Sequence, residues 1–209
     1  VVTPAFGPDP SQGPRFWLAS RGHHADLGGI SPGSMPPDSR TIADEGIRFN
    51  ACLLLRDGRF REAELRAALA AGPWPARDPD QNVADLKAQV AANLTGLAAL
   101  AELAERHGED AVTAYMEWVQ DDAERAVRAA IARLARATGA GPRRFVMPVD
   151  GGGAVAVCVR LDAETGAADV DFTGTTGQRA DNANAPTAIV RAAAMYVFRT
   201  LAADDVPLN

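Results

Sequence analysis

Apolar and polar positions recur with two periods along the chain, and each change of period marks a change of element. "VVTPAF" (1–6) and "RFWLAS" (15–20) are short β-prone runs, separated by "GPDPSQGP", whose glycines and prolines mark an exposed loop. "GIRFNACLLLRDG" (46–58) predicts a buried strand ending at the turn dipeptide Asp57-Gly58, and "REAELRAALAA" (61–71) a short helix stopped by Gly72 and Pro73. From about Asp80 to Arg106, Leu86, Val90, Leu94, Leu97 and Ala101 recur at helical spacing, so one long amphipathic helix is predicted, ending at Gly108. A second starts at once. Glu109 and Asp110 suit the positive end of its dipole, and Val112, Tyr115, Met116, Val119, Ala123, Ala126, Val127, Ile131 and Leu134 form its apolar stripe. Together the two predict an antiparallel helical hairpin.

After "TGAGP" the β signal returns in "RRFVMPV", "AVAVCVRLD" and "ADVDFTG", with Glu164-Thr165-Gly166 as the turn between the last two. Pro186 then precedes "TAIVRAAAMYVFRTLAA", which reads as a mostly buried helix. The predicted class is α+β: mixed β-strands, a long antiparallel helical hairpin and a C-terminal buried helix. Its segments are a β-rich stretch over 1–75, the hairpin over 76–140, and strands plus helix over 141–209, read as one continuous domain fragment.

Composition narrows the partners. With 209 residues, 47% of them hydrophobic, the chain can bury a core. Its net charge is -6, and no basic run interleaved with aromatics occurs, so neither nucleic acid nor an anionic membrane is an expected partner. No apolar run approaches the roughly 18 residues of a membrane span. Cys52 and Cys158 stand alone in apolar runs, which predicts buried free thiols, a reducing compartment and a cytoplasmic location. The chain lacks an initiator Met and opens on an apolar run, as expected of a fragment of a longer polypeptide.

Candidate chemistry concentrates in "SRGHHADLGGISPGSMPPDS" (20–39). Histidine is a common metal ligand, a nearby carboxylate completes or orients such a site, and glycine with proline fixes a loop without regular structure. In an extended segment His24 and Asp26 share a side, whereas in a tight turn His23 becomes the candidate. The plainer account is a packed loop in which a histidine bonds backbone and Asp26 caps a turn. In "NVADLKAQVAAN" (82–93), Asp85, Gln89 and Asn93 share one helix face, whose plain account is solvation. "DFTGTTGQRADNANAP" (171–186) offers a hydroxyl-rich turn but lacks the lysine of a P-loop, so ATP is not expected to bind this chain.

"SRGHHADLGGISPGSMPP", "EGIRF", "NVADLKAQVAAN", "DFTGT", "NANAP" and "DVPLN" follow one another as the signatures of the hydantoinase B/oxoprolinase family do, and the chain resembles that family nearly end to end. The likeness is strongest to the C-terminal, B-type half of ATP-dependent 5-oxoprolinases. It implies a two-part enzyme. An A-type, actin-like ATPase half phosphorylates the amide oxygen of a cyclic amide, and the B-type half completes hydrolysis, converting 5-oxo-L-proline, ATP and water to L-glutamate, ADP and phosphate. B-type subunits of N-methylhydantoinase or of acetone and acetophenone carboxylases are the alternative, and a non-catalytic docking module for the A-type half is another.

The resemblance also implies a divalent metal (Zn, Mn or Mg) at "HHAD", with His23, His24 and Asp26 as candidate ligands. Further family ligands come from a motif upstream of this chain. Catalytic roles are implied for His24, Asp26 and Glu45, and substrate-binding roles for Arg21, Asp85 and Gln89. The expected partners are the A-type half and the small cyclic amide, within a homo- or hetero-oligomer.

Overall fold

The structure, a computed structural model, describes residues 1–33, 36–139 and 141–202; the motif "DVPLN" and Met35 of the histidine loop lie outside the described residues. The fold is α+β, as the periodicity predicts. It divides into two compact units, one of Val1–Gly108 with Ala180–Asn182, the other of the remaining residues.

In the first unit, β1 (Val2–Phe6) and β2 (Pro14–Ala19) form an antiparallel hairpin in which Thr3 faces Leu18. A single turn of helix, α1 (Ile42–Glu45), follows the histidine loop. Next, β3 (Leu55–Arg56) and β4 (Arg59–Phe60) close around Asp57-Gly58, both with the positive φ that a tight hairpin turn needs. Helix α2 (Glu62–Leu69) buries Leu65 and Leu69 against Val83 and Leu86 of the long helix α3 (Pro79–His107). α3 starts where the sequence says: Asp78 accepts a hydrogen bond from the Gln81 amide at 3.0 Å, and Pro79 occupies the first turn.

The buried strand expected over 46–58 is reduced to β3. Ala51 has φ 48°, which breaks the extended backbone, and the segment is tied by single bonds, Ile47 N–H to Leu27 O at 2.9 Å and Arg61 N–H to Leu54 O at 2.8 Å. Cys52 is consequently exposed rather than buried.

The second unit holds α4 (Glu109–Thr138), the sheet β5 (Arg143–Pro148), β6 (Ala154–Leu161) and β7 (Ala168–Asp171), and α5 (Thr187–Leu201). The sheet order is β5-β6-β7, all antiparallel, and Cys158 is buried in its central strand. The predicted turn closes on Asp162, whose carboxylate accepts from the amides of Glu164 and Thr165 at 2.8 and 3.1 Å. The hydroxyl-rich turn has a structural job. Where β7 has ended, the Thr176 and Thr175 hydroxyls accept from the Ala154 and Ala156 amides at 2.8 and 3.0 Å and so continue the ladder of β6.

The two long helices expected as a hairpin belong to different units. Helix α3 packs on β1, β2 and α2, whereas α4 packs on α5 and β6. The apolar stripe of α4 is divided as well: Ile131 and Ala135 are buried with Leu161, and Val127 packs against them, but Tyr115, Met116 and Val119 are exposed. The C-terminal helix forms where expected but is not buried. None of its described residues is fully covered, and Met195 and Tyr196 are 69% and 71% exposed. The physical reason is that α5 leaves open apolar grooves, of about 1010 and 720 Å³, against α4 and against the sheet.

This division makes a contrast testable. Val127→Asp places a carboxylate beside the Ile131–Leu161 cluster and is expected to lower stability by about 2–4 kcal/mol, whereas Val119→Asp, on the exposed half, should change it by less than about 0.5 kcal/mol. Thermal or urea unfolding measures both; equal effects would contradict the packing described.

Candidate functional site

The histidine loop is held by one carboxylate. Asp26 is the residue around which the backbone turns: its Oδ1 accepts from the amides of Gly28 and Arg77 at 2.9 and 3.2 Å, and its Oδ2 from the Gly33 amide at 3.0 Å and Arg77 Nη1 at 2.9 Å. The same guanidinium donates through Nη2 to Gly29 O at 2.7 Å. With two donors on each oxygen, the acceptor capacity of this carboxylate is taken up by its own loop and Arg77. Burial works against ionisation of Asp26, but the amides of Gly28, Gly33 and Arg77 and then the Arg77 side chain outweigh it, and its pKa lies below the ordinary carboxylate value.

Backbone crossings complete the loop. The Gly29 amide donates to Trp74 O at 3.2 Å, and Ile30 to Asp44 O at 2.8 Å. Gly28 lies at φ 87° where a Cβ would collide with the Trp74 carbonyl, so both its conformation and its contact require the missing side chain.

The loop seats on the polar row of α3, and that row is not a solvated face. Asn82 and Asn93 are buried. Asn82 Nδ2 donates to Asp26 O at 2.8 Å and lies 3.5 Å from His24 Nδ1, while its Oδ1 is buried with no hydrogen-bond partner among the described residues. Asn93 Nδ2 reaches Thr3 Oγ1 at 3.0 Å and the carbonyls of Val1 and Leu18 at 3.2 and 3.4 Å, pinning the β1–β2 hairpin to the helix. Gln89 lies between them. Its backbone carbonyl accepts from Ser20 Oγ at 3.1 Å, and a Cβ on Gly22 would come within 2.9 Å of its Nε2.

His24 thereby lies against α3, its Nδ1 3.4 Å from Asp85 Oδ2, with side chains 12% and 30% exposed. Gln81 Nε2 donates to the other Asp85 oxygen at 2.6 Å. The structure therefore brings together His24, Asp85, Asn82 and Gln81. His23 and Arg21 are exposed on the same loop, and Glu45, at the end of α1, accepts from the buried Ser39 hydroxyl at 3.1 Å. Farther along the chain, Asn182 Nδ2 donates to Pro36 O at 3.0 Å, tying that asparagine to this loop. Sequence reasoning missed Arg77, which lies 51 residues from Asp26 and carries no local signal, and it missed the burial of Asn82 and Asn93. Amides rather than charges at 82, 89 and 93, on the face that also carries Gly96, were the available hint.

For the expected cation the donors are insufficient. No group of three His, Cys, Asp or Glu side chains able to hold a metal comes together among the described residues, and Asp26 already has its donors. The described residues of this chain do not by themselves form a metal centre. No described helix is long and apolar enough to cross a membrane.

The family model of hydantoinase B/oxoprolinase matches residues 1–209. The chain is 36% identical to a 5-oxoprolinase of Dictyostelium discoideum over 93% of its own length and 15% of that protein's. It is 37% identical to 5-oxoprolinase 1 of Arabidopsis thaliana over 100% of its own length and 18% of that protein's. A caprolactamase subunit beta of Pseudomonas jessenii matches 54% of the chain at 34% identity, covering 19% of that subunit. The chain thus spans under a fifth of the length of these relatives. No solved structure matches it.

The Asp26 latch has a pH signature. Because the folded pKa lies below the ordinary 3.8, ionised Asp26 contributes stability that is fully present above that value and is lost as pH falls through the folded pKa. Asp26→Ala, which leaves the amides of Gly28, Gly33 and Arg77 without their acceptor, should cost about 2–3 kcal/mol at neutral pH and flatten the stability profile below about pH 4. Urea unfolding across pH checks this; a variant as stable as wild type at pH 7 would remove the latch.

Proposed function

Because the chain belongs to the hydantoinase B/oxoprolinase family, we propose that it is part of the B-type half of an ATP-dependent cyclic-amide hydrolase that converts 5-oxo-L-proline, ATP and water to L-glutamate, ADP and phosphate. The observation that carries the reading is identity of 36% and 37% to two proteins named 5-oxoprolinase, over nearly all of this chain. A lactam is a poor electrophile. Phosphorylation of its oxygen by the A-type half makes the ring carbon reactive, and the task left for the B-type half is delivery of water to that carbon.

In this reading His24 does the proton work. Its imidazole, packed on α3 and facing Asp85 through Nδ1, takes the proton of the attacking water at Nε2. Expulsion of the ring nitrogen, which gains a proton, leaves an acyl phosphate, and a second water releases its phosphate to give the open amino acid. Arg21, exposed on the same loop, pairs the substrate carboxylate through its planar fork. Asp26 acts through the loop, with Arg77 rather than substrate as its partner. Glu45 and Gln89 support the loop from its two sides. The divalent cation (Zn, Mn or Mg) belongs to the longer protein, where His23, His24 and Asp26 of "HHAD" would supply at most part of the ligand set and the remaining donors would come from outside the described residues. ATP is used by the A-type half.

A second reading, hydrolysis of a larger lactam by separate A-type and B-type subunits, is favoured by the likeness to a caprolactamase subunit beta. Assaying 5-oxo-L-proline against caprolactam separates the two.

His24→Ala in the full-length enzyme is expected to lower coupled lactam hydrolysis by about 10²–10⁴-fold, the range of general-base contributions, while partial ATP turnover by the A-type half persists. Steady-state assays of glutamate and phosphate release check it; unchanged glutamate formation would overturn the assignment.

A further inference from the structure

The register of the three-stranded sheet decides which backbone groups are already paired. On β6, the amides of Ala154 and Ala156 donate to Thr176 and Thr175, on the β7 side, and just past the strand Asp162 N–H donates to Ala167 O at 2.9 Å. Ladder groups alternate from side to side along a strand, so Ala167, Asp169 and Asp171 point their N–H and C=O groups at β6, whereas Ala168 and Val170 point theirs away. β7 is an edge of this sheet, and those outward groups meet no hydrogen-bond partner among the described residues. The opposite edge is built differently. The same alternation turns Arg144, Val146 and Pro148 of β5 outward, and Pro148 has no N–H to offer. Proline at an outward position blunts an edge against further pairing; β7, Ala-Asp-Val-Asp, carries neither proline nor lysine.

The two faces beside the open edge also differ. Val159, Leu161, Val170 and Phe172 line the side on which α5 lies, while Arg160 pairs with Asp169 on the other at 3.1 Å. The groove of about 1010 Å³ is lined by Ala167 and Ala168 at the start of β7, by Val127 and Ile131 of α4 and by Met195 and Phe198 of α5. It continues the apolar side past the edge strand. We propose that β7 is an inner strand in the longer protein, paired along its outer edge with an extended segment of the same polypeptide that places every second, apolar side chain in the α4–α5 groove. The site states the chemistry of its occupant: main chain for Ala168 and Val170, apolar residues toward the groove, and polar residues between them beside Asp169 and Asp171. The chain covers 15% and 18% of the two 5-oxoprolinases it resembles, so the longer protein has ample length to supply the strand. The inference rests on membership of such a longer protein and not on which lactam it opens.

Hydrogen exchange in the full-length enzyme compares the two edges directly. The amides of Ala168 and Val170 are expected to exchange at least about 100-fold more slowly than those of Arg144 and Val146, which face outward on the blunted edge. Proline is tolerated where an N–H faces solvent and not where it pairs. Val170→Pro should therefore bring Ala168 to the exchange rate of Val146, whereas Val170→Ala should leave it slow. If Val170→Pro does not fold, the wild-type comparison still decides. A photo-cross-linker in place of Ala168, in a mixture of isotopically light and heavy enzyme, identifies the occupant. A cross-link within one polypeptide, to a segment with apolar residues at alternate positions, is expected. Equal exchange at the two edges, or a cross-link to a second copy, to a separate subunit or to a helix, overturns the proposal. Failure of the enzyme to open 5-oxo-L-proline would remove the functional reading and leave this one standing.

Discussion

Everything at the opening loop depends on how one carboxylate is solvated. Asp26 is only 15% exposed in its side chain, and it stays charged because three backbone amides and a guanidinium replace the water it has lost. The exchange runs both ways: the amides of Gly28 and Gly33 lie in a segment without regular secondary structure, and the carboxylate is their acceptor. A loop of glycines and prolines becomes a fixed object without a helix or strand of its own. Arg77 extends the constraint across the chain, since it also donates to Gly29 O at 2.7 Å just ahead of the start of α3.

From that point α3 acts as a ruler. Asn82, Asp85, Gln89 and Asn93 recur on one face, and each meets a different part of what precedes the helix: the loop at Asp26 O, His24, Ser20, and the β1–β2 hairpin at Thr3. Side-chain amides suit this work because they supply donors to backbone carbonyls without requiring a buried charge. The one carboxylate on the face is half-covered and lies opposite the one histidine that the loop turns inward. Fold and chemistry therefore share residues here, and the same row that pins the hairpin sets the surroundings of the imidazole.

Much of this was legible in the sequence where it depended on local periodicity. The helical spacing from Leu86 to Ala101 gave α3, the dipeptide Asp57-Gly58 gave its turn, and the alternating runs gave β5, β6 and β7. Long-range partners were not legible. Nothing near Asp26 points to Arg77, and the spacing of Asn82 and Asn93 defines a face without saying whether water or protein covers it. The same limit explains α4, whose stripe continues in the sequence past the stretch that β6 and α5 cover, and Cys52, whose apolar neighbours suggested burial where a positive φ at Ala51 diverts the chain. Assignment of the histidine loop to a B-type half came from the order of several motifs, since the loop alone also fits a packed turn.

The central claim is that a saturated Asp26 carboxylate, rather than a bound ion or substrate, gives the histidine loop its shape. Native-state hydrogen exchange at the Gly28 and Gly33 amides measures this most directly, since each donates to one oxygen of Asp26, at 2.9 and 3.0 Å. The account predicts that in metal-free, substrate-free protein both amides are protected nearly as strongly as the buried turns of α3. Exchange at the rate of an open loop, with protection gained only on addition of a divalent metal, would contradict it.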